Sequence, residues 1–363
     1  MLAHAAARLG LETVVLDPQP DCPARQFASS TRVGSLQDAD AIQALAADCD
    51  LLTIEIEDVD SAALQSLSDA GMPVFPPPAT VATVQNKLLQ KQRLQAAGLP
   101  TAAFVALPHP EPRAVLEFGL PCVQKLQRGG YDGRGVSVLR ERADLDTLLP
   151  GPGLLERLVA FEKELAVLVA RDRNGRCCTY PVVELVADAR TNMLDLLLAP
   201  APIAPEIAER AQALAVRCAD AFETVGVFAI ELFLDRHGEL SVNEVSPRVH
   251  NSGHYTLEAC ATSQFEQHIR AICGLPLGQT GQWRPAAMMN LVGADGWHGQ
   301  TVIEGLDEAL DLANASLHLY GKRSCRAARK MGHVTVLDER LDQAARRATE
   351  FRDRLTIRGS VPD

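Results

Sequence analysis

Two glutamates, Glu231 and Glu244, lie in otherwise apolar stretches, GVFAIELFLD at 226–235 and ELSVNEV at 239–245. Between them, Asp235-Arg236-His237-Gly238 is dense in turn formers, so the stretches read as two arms of a hairpin. A four-residue loop sets Leu234 opposite Glu239 and Glu231 opposite Val242, with Glu244 one diagonal step further on. Side chains alternate along a strand, which predicts Ala229, Glu231, Val242 and Glu244 on one face. Two carboxylates in apolar surroundings repel each other and are costly to bury, and a divalent cation relieves both problems. Magnesium suits such a pair, because it takes one or two carboxylates and completes its shell with phosphate oxygens and water. The plain alternative is a solvated face with two unrelated acids. Past Glu244 the chain leaves the strand at Pro247 and strings Arg248, His250, Asn251, Ser252 and His254 around Gly253. That is a dense set of donors, as an anion requires.

A second stretch, QRGGYDGRG at 127–135, follows a strand ending near Lys125. Its glycines let backbone amides approach an anion closely. It matches neither the G-x-x-x-x-G-K-[ST] loop nor G-x-G-x-x-G before a helix. A strand follows instead, so the stretch reads as a flap between two strands. Lys125 can place a point charge on a phosphate there.

The elements that must position these residues follow from pattern and composition. The 363 residues carry a formal net charge of −11, which argues against nucleic acid or an anionic membrane as a partner. No apolar run is long enough to span a bilayer, and MLAHAAARLGLE is not a secretory signal. The nine cysteines are scattered without a C-x-x-C pair and read as reduced thiols of a cytoplasmic protein.

Residues 1–78 alternate α and β, with strands at Glu12–Asp17, Leu51–Ile54 and Pro73–Phe75, so a Rossmann-like parallel sheet is expected. That domain begins inside its first helix, without the strand and glycine-rich turn that should precede it. Pro76-Pro77-Pro78 marks a boundary. An α+β region, 79–275, opens on a helix over Ala79–Ala97. It continues through strands at Pro121–Leu126, Val136–Leu139, Leu154–Leu158, Lys163–Arg171 and Thr179–Val186, then a long helix over Pro205–Val225. Ser263 and Glu266 form a capping box for a helix over Ser263–Cys273. The remainder, 276–363, is a small β-rich domain with a charged terminal helix over Glu339–Leu355.

Lys125, the flap, the paired acids and the donor loop together resemble the ATP-grasp enzymes. GGYDGRG at 129–135, NEVSPRVHNSGH at 243–254 and YGKRSCRAARKMGHVTVL at 320–337 look like the 5-(carboxyamino)imidazole ribonucleotide synthase family of purine biosynthesis. The likeness is collinear to about residue 338 and includes LDPQPDCPA, TIEIEDVD and TSQFEQHIRAICGLPLG. It implies an N-terminal pre-ATP-grasp domain, a central ATP-grasp domain and a small C-terminal domain. It implies a homodimer that uses ATP and Mg2+ to carboxylate aminoimidazole ribonucleotide with bicarbonate, by way of carboxyphosphate, giving ADP and phosphate.

By matching position, Lys87 and Lys125 contact ATP phosphates, and Gly130, Tyr131, Asp132, Gly133, Arg134, Gly135 and Val136 close over them. Glu156, Arg157, Leu158 and Val159 resemble the segment that reads adenine, and Glu164 the acid that takes the ribose hydroxyls. Glu231 and Glu244 hold magnesium with Asn243 beside them, and Arg248, His250, Asn251 and Ser252 orient bicarbonate. Tyr131, Asp132 and Arg134 touch the nucleotide substrate, Lys322, Arg329 and Lys330 its phosphate, and Glu55 its imidazole.

The chain departs from the family in four ways, one of them Val136, which replaces a commoner polar residue after the flap. The opening strand and its GGGQLG-type turn are missing, which reads as a start codon placed too far downstream rather than a true truncation. Ala187, Asp195 and Pro202 stand where a histidine and arginines are usual. Ala327-Ala328 replace a Pro-Gly before Arg329. Two other readings stay open: a formate-using ribonucleotide transformylase of the same superfamily, and a non-catalytic nucleotide-binding relative.

Overall fold

The computed structural model describes residues 1–130, 135–188 and 194–362. Near the N-terminus, strand Val14–Asp17 pairs in parallel with Ser30–Val33, and Leu52–Thr53 with Val74–Phe75. The two pairs form separate two-stranded sheets. Helices Ala39–Ala46 and Ser61–Asp69 pack beside them, each started by an aspartate, Asp38 or Asp60, whose carboxylate accepts two backbone N–H groups of the first turn. Ile42, Leu52, Ile54, Leu64 and Val74 make the small core here. The first helix, Leu2–Arg8, belongs elsewhere: Leu2, Ala5 and Ala6 pack with Phe265, Ile269 and Ile272.

The helix expected over Ala79–Ala97 is two helices, Pro78–Val84 and Lys87–Ala96. Asn86 breaks it, because its side chain accepts from the N–H groups of Leu88 and Leu89 and so starts the second helix afresh. A four-stranded antiparallel sheet follows, ordered Phe104–Leu107, Gly153–Arg157, Cys122–Leu126, Val136–Leu139. The strand expected over Thr179–Val186 is also split, into Cys177–Thr179 and Val183–Ala187. Pro181 lies between them and has no N–H for a ladder.

A nine-stranded sheet carries the rest. Its order is Leu240–Ser246, Gly226–Asp235, Phe161–Arg171, Val183–Ala187, Leu194–Ala199, Ala286–Val292, Lys330–Leu337, Ala315–Leu319, with Cys177–Thr179 on the side. One face buries Ala166, Leu168, Val227 and Ala229 against Phe265 and Ile269. The other buries Leu165, Val167, Phe228 and Ile230 against Ala211, Leu214 and Cys218 of helix Pro205–Ala221. Leu194–Ala199 pairs with Ala286–Val292, so one sheet runs across residue 275 into the C-terminal region. Asp195 meets Arg352 of the terminal helix at 2.9 and 3.0 Å, which gives that unusual aspartate a structural partner. A small sheet of Ser324–Arg326, Trp297–Glu304 and Thr356–Pro362 closes the chain; its pattern did not announce it.

Candidate active site

The hairpin forms, but in a different register from the one the loop suggested. Leu234 pairs with Leu240 and Leu232 with Val242. Asp235 sets this: its carboxylate accepts from the N–H of His237 and of Glu239 at 2.8 and 2.9 Å, and Gly238 takes a left-handed φ of +78°. A one-residue shift alone would turn Glu244 to the opposite face from Glu231. A β-bulge at Asn243 reverses that, and Glu231 lies directly across from Glu244. Val242 leaves the expected face and packs with Leu232 and Leu165 on the other side of the sheet. The two carboxylates are therefore closer in register than expected, through two deviations of opposite effect.

Lysines flank the pair. Lys87, at the start of helix Lys87–Ala96, reaches Glu244 at 2.6 Å. Lys125 donates to the side chain of the bulged Asn243 at 3.0 Å and to Glu156 at 3.1 Å. Glu156 is buried and also meets the buried Lys91 at 3.4 Å. Burial pulls Lys91 down to about 8, against the charge of Glu156. The carboxyls of the hairpin respond in opposite directions. The Lys87 ammonium holds Glu244 well below the usual carboxylate range, while burial and the charge of Glu244 push Glu231 well above it. Glu164, which pairs across to Phe233 in the same sheet, is pushed up to about 7 by burial and then by Glu244.

The flap arms meet at their base, where Leu126 N–H donates to Gly135 C=O at 2.8 Å and Lys125 pairs with Val136. Gly135 has φ +71°, and a Cβ there would lie 3.1 Å from Gly130 Cα. Tyr131, Asp132, Gly133 and Arg134 lie outside the described residues. The backbones of Glu156 and Arg157 are committed to the sheet, paired with Val123 and Cys122, while Leu158 and Val159 follow the last paired residue.

The donor loop faces the hairpin. His250 Nε2 lies 3.5 Å from Glu231, and its Nδ1 meets the hydroxyl of the fully buried Ser252 at 2.8 Å. Ser252 thus supports the ring. Arg248 Nε donates to Glu57 at 2.6 Å, a contact from the N-terminal region that sequence reasoning missed, although Glu57 lies in the TIEIEDVD run. Asn251 buries its amide oxygen and nitrogen without a protein partner among the described residues. In the C-terminal region, Lys322 Nζ donates to Lys330 C=O at 2.7 Å and lies 5.5 Å from the Tyr320 ring centre. Arg329 donates to Ser324 C=O at 2.7 Å. Glu55 is near enough to Tyr320 that, after burial, its charge helps push the phenol's pKa up. Ala328, just before Arg329, takes φ +59°.

Comparison with known proteins places this geometry. Family models match a ribonucleotide synthetase preATP-grasp domain at residues 1–85, an ATP-grasp domain at 92–265 and a phosphoribosylaminoimidazole carboxylase C-terminal domain at 286–347. The N5-carboxyaminoimidazole ribonucleotide synthase of Brucella melitensis is 40% identical over 94% of this chain and 93% of that one. The chain belongs to the N5-carboxyaminoimidazole ribonucleotide synthase family. The crystal structure of the Thermotoga maritima synthetase superposes with a TM-score of 0.91 at 40% identity, over 99% of this chain and 96% of that one. An Aspergillus clavatus N5-carboxyaminoimidazole synthase in complex with ADP and 5-aminoimidazole ribonucleotide gives 0.87 at 31% identity, over 98% and 94%.

A synthase of this family binds ATP, and a metal ion accompanying the nucleotide would need ligands in this site. Among the described residues no group of three or more His, Cys, Asp or Glu forms a metal cage. Glu231 and Glu244 supply two hard oxygen donors on one face. Burial first, and then the charges of Glu244 and Glu164, push the Glu231 carboxyl above its ordinary range. A pair of this kind fits magnesium brought in with phosphates, which provide the rest of its shell.

Proposed function

We propose that the chain makes N5-carboxyaminoimidazole ribonucleotide from ATP, bicarbonate and 5-aminoimidazole ribonucleotide in the hairpin site, with Glu231 and Glu244 as the magnesium ligands. The single observation carrying this is the bulge-set opposition of those two carboxylates, with Lys87 and Lys125 on either flank. Magnesium would neutralise charge on the phosphates as the γ-phosphoryl group moves to bicarbonate. Lys87 and Lys125 bind the phosphate oxygens. Leu158 and Val159 offer main-chain groups to adenine, and Glu164 faces the ribose. The glycine-rich flap covers the nucleotide and excludes water from carboxyphosphate.

Arg248, held by Glu57, and His250, held by Ser252, orient bicarbonate, and Asn251 supplies the amide that has no partner among the described residues. Glu55, Lys322, Arg329 and Lys330 receive the ribonucleotide, with Tyr131, Asp132 and Arg134 closing from the flap. The nine free cysteines suit the reducing cytoplasm, and a homodimer is the assembly we expect; sedimentation of the purified chain would test it.

The experiment is ADP release measured with each component omitted in turn. Release that depends on magnesium and bicarbonate and rises with aminoimidazole ribonucleotide supports the proposal. Release that depends on formate, or no release despite nucleotide binding, would replace it with the transformylase or the non-catalytic reading.

A further inference from the structure

Two buried glutamines, Gln90 and Gln264, do something the reaction scheme does not yet use. Each presents both halves of its amide to the N–H and C=O of one residue. Gln264 Oε1 accepts from His250 N–H at 2.9 Å, and its Nε2 donates to His250 C=O at 2.7 Å. Gln90 Oε1 accepts from Val245 N–H at 3.0 Å, and its Nε2 donates to Val245 C=O at 3.3 Å. A neighbouring strand would offer the same pair of bonds. Each side chain replaces a strand at a point where the fold has none.

The places matter. Leu240–Ser246 is the edge of the large sheet, and an edge strand has free N–H and C=O groups along one side. At Val242 those groups are taken by Pro100 C=O and the Thr101 hydroxyl, each at 2.8 Å. At Val245 they are taken by Gln90. Glu244 therefore sits between two pinned residues on the outermost strand. Gln90 lies one helical turn after Lys87, so the same helix that carries the phosphate lysine grips the strand that carries the metal carboxylate.

Gln264 does the equivalent for the donor loop. It opens helix Gln264–Ile272, and the second proton of its Nε2 faces His254 Nδ1 at 2.9 Å. A Cβ on Gly253 would stand 2.4 Å from Gln264 Oε1, so the loop has been kept bare where the amide passes. The His250 ring, 3.5 Å from Glu231, takes its direction from a backbone that Gln264 holds on both sides.

We propose that Gln90 and Gln264 are positioning residues with separate duties: Gln90 sets Glu244 and Lys87 for the metal nucleotide, and Gln264 sets His250 for bicarbonate. This rests on the functional reading given above. Two glutamines that only satisfied buried peptide groups would weaken the fold on removal without regard to substrate.

The test uses the full chain with Gln264→Met, Gln264→Glu, Gln90→Met and His250→Ala, with thermal midpoints measured alongside. Methionine keeps length and volume and removes the amide; glutamate keeps the acceptor and loses both donors. We expect Gln264→Met to raise the KM for bicarbonate about tenfold, the effect of losing the two hydrogen bonds to the His250 main chain, with the KM for Mg–ATP within about twofold. Gln264→Glu should shift the same constant in the same direction. Gln90→Met should raise the KM for Mg–ATP and spare bicarbonate. Equal shifts in both constants, or no shift in a folded variant, would overturn the assignment. If Gln264→Met does not fold, Gln264→Glu and Gln90→Met still decide it by whether their shifts separate the two substrates. His250→Ala separates the two levels: no change in bicarbonate KM removes the functional reading, whereas a rise there without a rise in the Gln264 variants removes only the positioning role.

Discussion

The side of the site we assign to ATP and the side we assign to the ribonucleotide are built by different means. On the ATP side, Glu164, Glu231 and Glu244 stand on consecutive strands of one antiparallel sheet, and the ladder fixes their spacing. On the other side, Glu55, Lys322 and Arg329 come from separate regions and are held by side-chain contacts rather than by a shared ladder, such as Lys322 to Lys330 C=O and Arg329 to Ser324 C=O. The first arrangement can carry close, repelling charges because the backbone cannot yield. The second can adjust to a ligand, because each contact costs little to exchange.

The comparison predicts that the largest single effect lies in the sheet. Glu244→Ala should lower ADP release about a thousandfold, roughly 4 kcal/mol of barrier, because no neighbouring group can move into its place. A variant that keeps a tenth of the rate in a coupled ADP assay would show that the ladder is not what holds the metal site.

The seam between the halves gives the next effect. His268 is fully buried on helix Gln264–Ile272; its Nδ1 accepts Val227 N–H at 3.1 Å, which leaves the proton on Nε2, 2.8 Å from Thr53 Oγ1 of the N-terminal region. Burial pulls its pKa down to about 4. The unfolded chain takes up this proton near pH 6.5 and the folded chain does not, so stability is intact above about pH 6.5 and falls as pH drops towards 4. The loss amounts to roughly 3 kcal/mol at most for this one group. His254 and His333, also buried and displaced downward, add to it with the same sign. Urea unfolding of wild type and His268→Gln between pH 7 and 4 checks this. Parallel curves would mean His268 titrates alike in both states and does not tie the two regions together as a neutral ring.

How much of this could be read beforehand follows the same division. That Glu231 and Glu244 come together was legible, because acids in apolar strands are unusual for their setting. The register was not, because it depends on Asp235 accepting two N–H groups and on a bulge at Asn243, and neither leaves a period in the sequence. Asn86 as a helix start could have been found from the capping preference, but the apolar residues around it read as one longer helix. Gln90, Gln264 and Lys91 look like ordinary surface residues until tertiary packing buries them. The Arg248–Glu57 pair spans 191 residues, beyond any local pattern.

A smaller change is expected where no shared ladder holds the side chains. Lys322→Ala should raise the KM for aminoimidazole ribonucleotide about tenfold, the range of one charged hydrogen bond, and leave that for ATP nearly unaltered. If steady-state kinetics gave the reverse ranking, the cluster of Lys322, Arg329 and Lys330 would have to be moved to the ATP side, and the division drawn here would fail.

The smallest effect is the most specific to this chain. Ala328 holds φ +59° where its Cβ crowds the backbone, while its N–H donates to Gly293 C=O at 2.9 Å. An alanine in that region is strained by about 1 kcal/mol relative to glycine. Glycine gives back part of that gain through the greater freedom of the unfolded chain, so Ala328→Gly should stabilise the protein by only about 0.5 kcal/mol. The ribonucleotide KM should stay within about twofold, since the path to Arg329 is already the one glycine would take. Denaturant midpoints read the first quantity and kinetics the second. A destabilised variant would mean that the alanine methyl makes contacts worth more than its strain. A changed KM with unchanged stability would mean that the loop, freed of its side chain, no longer delivers Arg329, so that the stiffness of this one residue holds the turn between strands Ser324–Arg326 and Lys330–Leu337.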